Sequence, residues 1–131
     1  MIPVAVSNTG PLLAFANAGL LRLLSSQFAR IIVPEAVVRE INAGTASTIR
    51  FDAMRLELPQ LKIAADGDAN PLLESMLDPG EAAVIQLSIS LRPDITLIDE
   101  RKGRKIAADI YRLPIIGTVG ILLKAKKNRS I

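Results

Sequence analysis

The sequence predicts an α/β domain with a central parallel sheet of about four to five short strands and helices on both faces. Short apolar runs without alternation recur along the chain, and stretches with helical periodicity separate them. Such runs are typical of parallel strands that are buried on both faces. The alternation of strands with helices along the chain is typical of a three-layer α/β fold. The 131 residues show no repeat and no linker, so we expect a single domain over residues 1–131.

The first half of the chain follows this alternation. Pro11 falls in the first turn of a helix that Asn8 or Thr9 can cap, and Pro34 opens a later helix. In order, we predict a strand at 3–7, a helix after residues 8–9 that ends at 17–19, and a second helix from residue 20 that stops near 25–26. A strand at 31–33, a helix opened by residue 34 and closed at 42–44, a helix near 46–57, a strand at 61–64 and a helical turn after residue 71 follow.

The second half carries the clearest helix signal, because Asp78-Pro-Gly-Glu81 combines an N-cap acid, a proline at the first helical position and a glutamate at the third. A strand at 95–98 then ends in Asp99-Glu100. The remaining predictions are a basic helix with Ile106, Ala107 and Ile110 facing inward, a strand at 114–116, and a last helix that follows residues 117–120 and ends in lysines.

The composition excludes several classes of site. The chain contains neither Cys nor His, which rules out disulfides, zinc ribbons, thiolate nucleophiles and Ser-His-Asp triads. A metal would need oxygen ligands, which favours Mg²⁺, Mn²⁺ or Ca²⁺. The four aromatic residues argue against binding modules that stack bases on exposed rings. Without a signal peptide or an apolar stretch of about 20 residues, we expect a soluble, cytoplasmic protein with no membrane contact.

The charges are unevenly distributed along the chain. The first hundred residues hold seven Lys/Arg and twelve Asp/Glu, whereas residues 101–131 hold nine Lys/Arg and one acid. An acidic body beside a basic segment is suited to binding a metal ion and a polyanion next to each other. A solubilising lysine-rich tail is the alternative interpretation.

Polar residues follow two of the predicted strands. Asn8 comes after the first strand, and Asp99-Glu100 close the strand at 95–98. Ligands of open α/β sheets bind beyond the carboxyl ends of the strands, so neighbouring strands would bring Asn8 and Asp99 together there. The alternatives are a solvated loop start, or Asp99 as the N-cap of the basic helix.

Two further acids fit the same edge. Glu40 lies in the last turn of its helix, where the macrodipole disfavours a carboxylate, so a bound cation would explain it; an ion pair with Arg39 or with a neighbouring arginine is the alternative. Glu81 has a structural explanation in its capping box with Asp78, yet the same helix start can point it into the crevice.

Five segments in order carry a family resemblance: 6–13 (VSNTGPLL), 33–40 (VPEAVVRE), 77–85 (LDPGEAAVI), 97–104 (LIDERKGR) and 116–122 (IGTVGIL). Together they resemble the PIN-domain family, and in particular its uncharacterised prokaryotic branch of predicted nucleic-acid-binding proteins. The resemblance spans nearly the whole chain. It implies a PIN-like fold and a ribonuclease whose acids converge on one or two Mg²⁺ or Mn²⁺ ions.

The resemblance implies that Glu40, Glu81 and Asp99 occupy the acidic positions of the family and that Glu100 assists Asp99. Asn8 stands where many members have Asp, and it would supply a neutral ligand. We expect the basic residues after the acids to hold the RNA backbone through phosphate contacts. Those residues are Arg101, Lys102, Arg104 and Lys105. Thr9 and Thr118 offer hydroxyls to a water or phosphate, with helix capping as the alternative.

The resemblance also bears on partners, because many family members are toxin halves of toxin–antitoxin pairs. We therefore expect RNA and an antitoxin as partners, and the mean hydropathy of +0.35 favours a homo-oligomer, such as a dimer, that covers apolar surface. A truncated C-terminus is one interpretation of a chain that ends soon after its last helix. Two rival functions are a non-catalytic binding module weakened by Asn8, and a nucleotide-binding domain, which is disfavoured because residues 7–11 lack a Gly-rich phosphate loop.

Overall fold

A computed structural model describes residues 2–128. The chain forms a five-stranded sheet in the order β3-β2-β1-β4-β5, in which every neighbouring pair is parallel. The strands are β1 (Val4–Ser7), β2 (Arg30–Pro34), β3 (Leu61–Ala64), β4 (Ile95–Leu97) and β5 (Ile115–Ile116). The predicted α/β class with a central parallel sheet is confirmed.

Helices connect the strands, as parallel pairing requires. They are α1 (Thr9–Asn17), α2 (Leu21–Gln27), α3 (Glu35–Ala43), α4 (Phe51–Glu57), α5 (Pro71–Met76), α6 (Pro79–Leu91), α7 (Arg101–Lys105) and α8 (Thr118–Lys127). A π-helical turn over Ile106–Ile110 continues α7. None of the helices within residues 2–128 has the length and apolar character needed to cross a membrane.

Both faces of the sheet are covered. Consecutive strand residues point to opposite faces, and Ala5 and Val6 in the central strand β1 are both fully buried. The core around them is aliphatic, with Phe15, Phe28 and Phe51 as its buried rings. This packing explains why the strands lack an alternating pattern, and it supports the three-layer arrangement.

The sheet order brings the ends of β1 and β4 together. Ser7 pairs with Leu97 in register, and the Asn8 amide donates a hydrogen bond to the Leu97 carbonyl at 3.0 Å. Asn8 and Asp99 therefore follow adjacent strands at the carboxyl edge of the sheet. The predicted neighbourhood of these two strands is confirmed.

The helix predicted near residues 46–57 is wrong in its first part, because α4 begins at Phe51. Asn42 sets this start: its side-chain oxygen accepts a hydrogen bond from the Phe51 amide at 2.9 Å, and its carbonyl accepts one from the Arg50 guanidinium at 2.7 Å. Ser47 further holds the preceding segment in a turn through the Ile49 amide. A cap supplied from an earlier helix leaves no local sequence signal.

The inward orientation of Ile110 is also wrong, although Ile106 and Ala107 are buried as predicted. Ile110 is 55% exposed because it ends the π-helical turn Ile106–Ile110. The wider turn changes the angular position of the residues that follow it, so a pattern based on 3.6 residues per turn fails there. Of the lysine-rich end predicted for the last helix, Arg129 lies outside the described residues.

Candidate metal and nucleic-acid site

A cleft of about 570 Å³ opens at the carboxyl edge of the sheet, where β1 and β4 end. It brings together residues from the ends of two strands and from α1, α3, α6 and α7. Its lining comprises Asn8, Thr9, Gly10, Leu13, Glu40, Ala46, Asp78, Glu81, Asp99, Glu100 and Arg101. Every acidic position inferred from the sequence thus reaches one cleft, and Asp78 joins them.

Glu40 enters the cleft from the last turn of α3. The alternative pairing with Arg39 does not occur, because the Arg39 guanidinium lies 3.5 Å from the Asp66 carboxylate. Glu40 Oε2 instead lies against Gly80, in the first turn of α6. Burial, followed by the charge of Asp78, raises the pKa of Glu40 above its usual value. The carboxylate is thus placed where its ionised form is disfavoured.

Glu81 is the most strongly perturbed acid of the cleft. It is only 9% exposed, and its pKa is raised to about 8. Burial is the largest cause, followed by a hydrogen bond with the Asp78 side chain and by the charges of Asp78, Glu100 and Glu40. Three neighbouring carboxylates therefore oppose ionisation of a fourth, which is the electrostatic situation that a cation would relieve.

Asp78 has two roles in the structure. Its Oδ1 accepts a hydrogen bond from the Glu81 amide at 2.8 Å and caps α6, as the sequence motif predicts. Its charge also acts on both Glu40 and Glu81. Sequence reasoning assigned Asp78 only the cap, because a complete capping motif gave no reason to seek a further role for the same carboxylate.

Asp99 does not cap the basic helix α7, whose N-cap position is Glu100. Its two oxygens accept hydrogen bonds from Thr118 instead, Oδ1 from the amide at 2.6 Å and Oδ2 from the hydroxyl at 2.5 Å. Asp99 therefore holds the start of α8 while it lines the cleft. Asp99 is not among the charges that raise the pKa of Glu81. The carboxylates that act on Glu81 are therefore those of Asp78, Glu100 and Glu40.

Asn8 and Thr9 supply neutral oxygens. Asn8 is the N-cap residue of α1 by position, but its side chain makes no capping hydrogen bond, and it is 6% exposed. The Thr9 hydroxyl is buried without a partner of acceptable geometry among the described residues, although its closeness to Glu40 partly offsets the rise in the pKa of that group. A buried hydroxyl with no partner in a cleft is suited to a bound water or ligand.

The basic residues of α7 reach the site to different extents. Arg101 lines the cleft, and the Arg104 guanidinium lies beside Gly117, as does Asp99 Oδ1. Lys102 and Lys105 are exposed on the same helix and are not part of the lining. Thr118 contributes its hydroxyl to Asp99, while Thr9 has no capping role in the structure.

The cleft offers oxygen donors only, which suits Mg²⁺ or Mn²⁺. The raised pKa of Glu81 and the unpartnered Thr9 hydroxyl are both consistent with a cation and its waters at this position. Within residues 2–128, however, no three acidic side chains already surround a common point as metal ligands. The residues present fit a divalent cation in their chemistry, as oxygen donors.

The cleft lies where open α/β sheets bind their ligands, beyond the carboxyl ends of the strands, and its lining is acidic. The sequence matches a family model described as a PIN domain over residues 4–131. The chain therefore belongs to the PIN-domain family, a family of PIN-type nucleases whose members generally depend on divalent metals. No curated protein matches the sequence.

Proposed function

We propose that this protein is a ribonuclease that depends on Mg²⁺ or Mn²⁺. The observation that carries the proposal is that Glu40, Asp78, Glu81, Asp99 and Glu100 line one cleft at the carboxyl edge of the sheet. Burial there, with the charges of Asp78, Glu100 and Glu40, raises the pKa of Glu81 to about 8. Such crowding of carboxylates is costly and is typical of functional sites. A divalent cation bound there would lower the pKa of a coordinated water and neutralise charge on the scissile phosphate.

Different residues would bind the cation, orient its ligands and contact the RNA. Glu40, Glu81 and Asp99 hold the cation or orient water, with Asn8 and Glu100 as further oxygens from the same lining. The hydrogen bonds from Thr118 fix the orientation of the Asp99 carboxylate. The basic side chains of α7 contact phosphates of the RNA strand, and these contacts weaken as salt increases. They are Arg101, Lys102, Arg104 and Lys105.

The test is RNA cleavage by the purified protein with Mn²⁺ or Mg²⁺, with and without EDTA. We expect cleavage that EDTA abolishes and that Asp99→Asn and Glu81→Gln each reduce by about 100-fold or more. Asp52→Asn is the matched control, because Asp52 is an exposed acid in the first turn of α4 and lies outside the cleft lining. Cleavage that persists in EDTA, or that both site variants leave unchanged, would rule out the proposal.

A non-catalytic module that binds RNA or a protein is the second candidate, and Asn8 favours it. Asn8 is buried at the cleft and brings no charge to a position where many family members have Asp. We expect Asn8→Asp to increase Mn²⁺ affinity and cleavage if the wild-type site is weakened in this way. Salt-dependent RNA binding without cleavage in wild type and variant alike would favour the module.

We further propose that the protein acts in the cytoplasm as the toxin of a toxin–antitoxin pair and forms a homodimer. Exposed apolar side chains support a protein partner: Val119 and Leu123, one turn apart on α8, are 69% and 63% exposed. Expression of the wild type should slow growth, whereas Asp99→Asn should not. Equal growth of the two strains would contradict the toxin role, and a monomeric mass in solution would contradict the dimer.

A further inference from the structure

A second cavity of about 460 Å³ lies outside the acidic cleft. It is enclosed by α3, the loop after β3, α5 and the first turns of α6. Small apolar residues form much of its wall: Ala36 and Ala83 are 9% and 3% exposed, and Leu77 is 9% exposed. Its volume is within the range of pockets that bind small ligands. The nuclease mechanism proposed above makes no use of it.

At two points along the chain, one residue lines the acidic cleft and its sequence neighbour lines the second cavity. Arg39 lines the second cavity and Glu40 lines the acidic cleft, and the same holds for Pro79 and Asp78. Between these points Glu40 lies against Gly80, where α3 meets α6. A chain molecule whose phosphate lies at the acids can therefore place a neighbouring group in the second cavity.

The polar part of this cavity combines donors from Arg39 with acceptors from Asp66, Glu74 and Gln86, and Glu74 is exposed at its rim. The amide nitrogen of Gln86, a residue that is 5% exposed, donates to Glu74 Oε2 at 3.1 Å. This bond leaves Glu74 Oε1 and Gln86 Oε1 without a protein donor among the described residues. Asp66 is already engaged, because Oδ1 accepts from the Ala36 amide at 2.9 Å and Oδ2 faces Arg39.

We propose that this cavity binds a nucleobase that carries an exocyclic amino group, contributed by the RNA strand whose phosphate lies in the acidic cleft. The inference rests on the proposed ribonuclease function and adds a base preference to it. Free carboxylate and amide oxygens accept hydrogen bonds from an amino group, whereas the carbonyl at the same position of uracil would meet them unfavourably. The apolar walls bury the ring, and Arg39, which pairs with Asp66 at 3.5 Å and has a side chain 68% exposed, can direct its remaining N–H groups to a phosphate at the rim.

Binding of the fluorescein-labelled hexanucleotides rC6 and rU6 in EDTA tests the proposal without cleavage. The two differ in the exocyclic group, an amino group against a carbonyl, and at N3, an acceptor in cytosine and an N–H donor in uracil, so the Glu74→Gln variant is needed to assign a preference to the exocyclic contact. We expect the wild-type protein to bind rC6 at least roughly fivefold more tightly than rU6. Equal affinities within twofold would overturn the proposal. If neither oligonucleotide binds in EDTA, the comparison is made in Ca²⁺, which takes oxygen ligands and neutralises the acids, and no binding there would overturn it too.

Two variants locate the preference. In Glu74→Gln the new amide can keep its oxygen on Gln86 and turn its NH₂ group toward the cavity, so the preference should shift to rU6. Ala69→Phe fills the cavity from an exposed position at its rim and should remove the preference, while salt-dependent binding remains. Glu57→Gln, an exposed acid at the end of α4, is the matched control. A preference for rC6 that survives both cavity variants would place its origin elsewhere and overturn the assignment.

The outcomes separate this inference from the ribonuclease proposal. A preference for rC6 in EDTA without cleavage after Mn²⁺ is added would retain the base site and contradict the nuclease. Cleavage in Mn²⁺ with equal affinities for rC6 and rU6 would retain the nuclease and contradict the base site. Should Glu74→Gln fail to fold, Ala69→Phe gives the same discrimination, because it leaves the hydrogen bond between Glu74 and Gln86 in place.

Discussion

Gly103 lies directly against the carboxylate of Glu81: a Cβ atom at Gly103 would stand 3.1 Å from Glu81 Oε2. A glycine inside α7 is otherwise unfavourable, by about 1 kcal/mol relative to alanine. Other carboxylates of the cleft also lie against glycines, since Glu40 contacts Gly80 and Asp99 lies beside Gly117. The absence of side chains at these three positions makes room for the acids.

Gly103→Ala should therefore improve helix propensity but crowd Glu81. We expect an unfolding free energy in EDTA that is unchanged or up to about 1 kcal/mol higher, together with roughly 10-fold weaker Mn²⁺ binding. Calorimetric titration with Mn²⁺ and urea denaturation measure the two effects. Gly10→Ala is a comparison within the same cleft: its Cβ would lie at an ordinary 3.6 Å from Asp99 Oδ2, so Mn²⁺ binding should weaken less than in Gly103→Ala. Unchanged Mn²⁺ affinity in Gly103→Ala would show that the glycine does not position Glu81.

The raised pKa of Glu81 predicts how stability depends on pH when no metal is present. The folded chain keeps the Glu81 proton up to about pH 8, whereas the unfolded chain loses it near 4.5, so ionisation favours unfolding between these values. The free energy of unfolding in EDTA should fall as the pH rises through this window, and Glu81→Gln should reduce the fall. If the stability of the wild type and that of Glu81→Gln depend on pH in the same way, the pKa of Glu81 is not raised.

The two roles of Asp78 can be separated by two substitutions. Asp78→Asn keeps a good N-cap for α6 but removes a charge that raises the pKa of Glu81, so stability at pH 8 in EDTA should increase. Asp78→Ala removes the cap as well and should be about 1 kcal/mol less stable than Asp78→Asn. Thermal denaturation compares the pair. If Asp78→Asn is less stable than the wild type, the charge of Asp78 does not destabilise the cleft.

The link between Asp99 and Thr118 should contribute measurably to stability. Thr118→Val removes the hydroxyl that donates to Asp99 but keeps the hydrogen bond from the backbone amide. We therefore expect the free energy of unfolding to fall by about 1 kcal/mol. Thr118→Ser retains the hydroxyl and serves as the control, with a smaller loss. Urea denaturation at neutral pH measures both, and equal losses in the two variants would show that the hydroxyl bond is not the cause.

Much of the fold could be predicted because it follows from local patterns. Apolar runs marked the strands, and the strand at Leu61–Ala64 has the predicted bounds. The rule that ligands bind at the carboxyl edge of a parallel sheet led to Asn8 and Asp99, whose strands are neighbours. The unfavourable helix position of Glu40 likewise pointed to the cleft that it lines. Their roles in chemistry remain predictions.

The rest depended on contacts between distant segments. Asn42 sets the start of α4 from the end of α3, and Thr118 binds Asp99 from 19 residues away. The charge of Asp78 in the cleft was hidden behind its capping motif, and the role of Gly103 depends on how α6 and α7 pack. None of these relationships has a signature in the surrounding sequence.

The most direct test of the central claim is a crystal soaked in Mn²⁺, with the ion located by its anomalous scattering. We expect a Mn²⁺ peak in the acidic cleft, within ligand distance of oxygens from Glu40, Glu81 or Asp99, and no such peak in crystals of Glu81→Gln. A strong peak at another place in the molecule with none in this cleft would contradict the account.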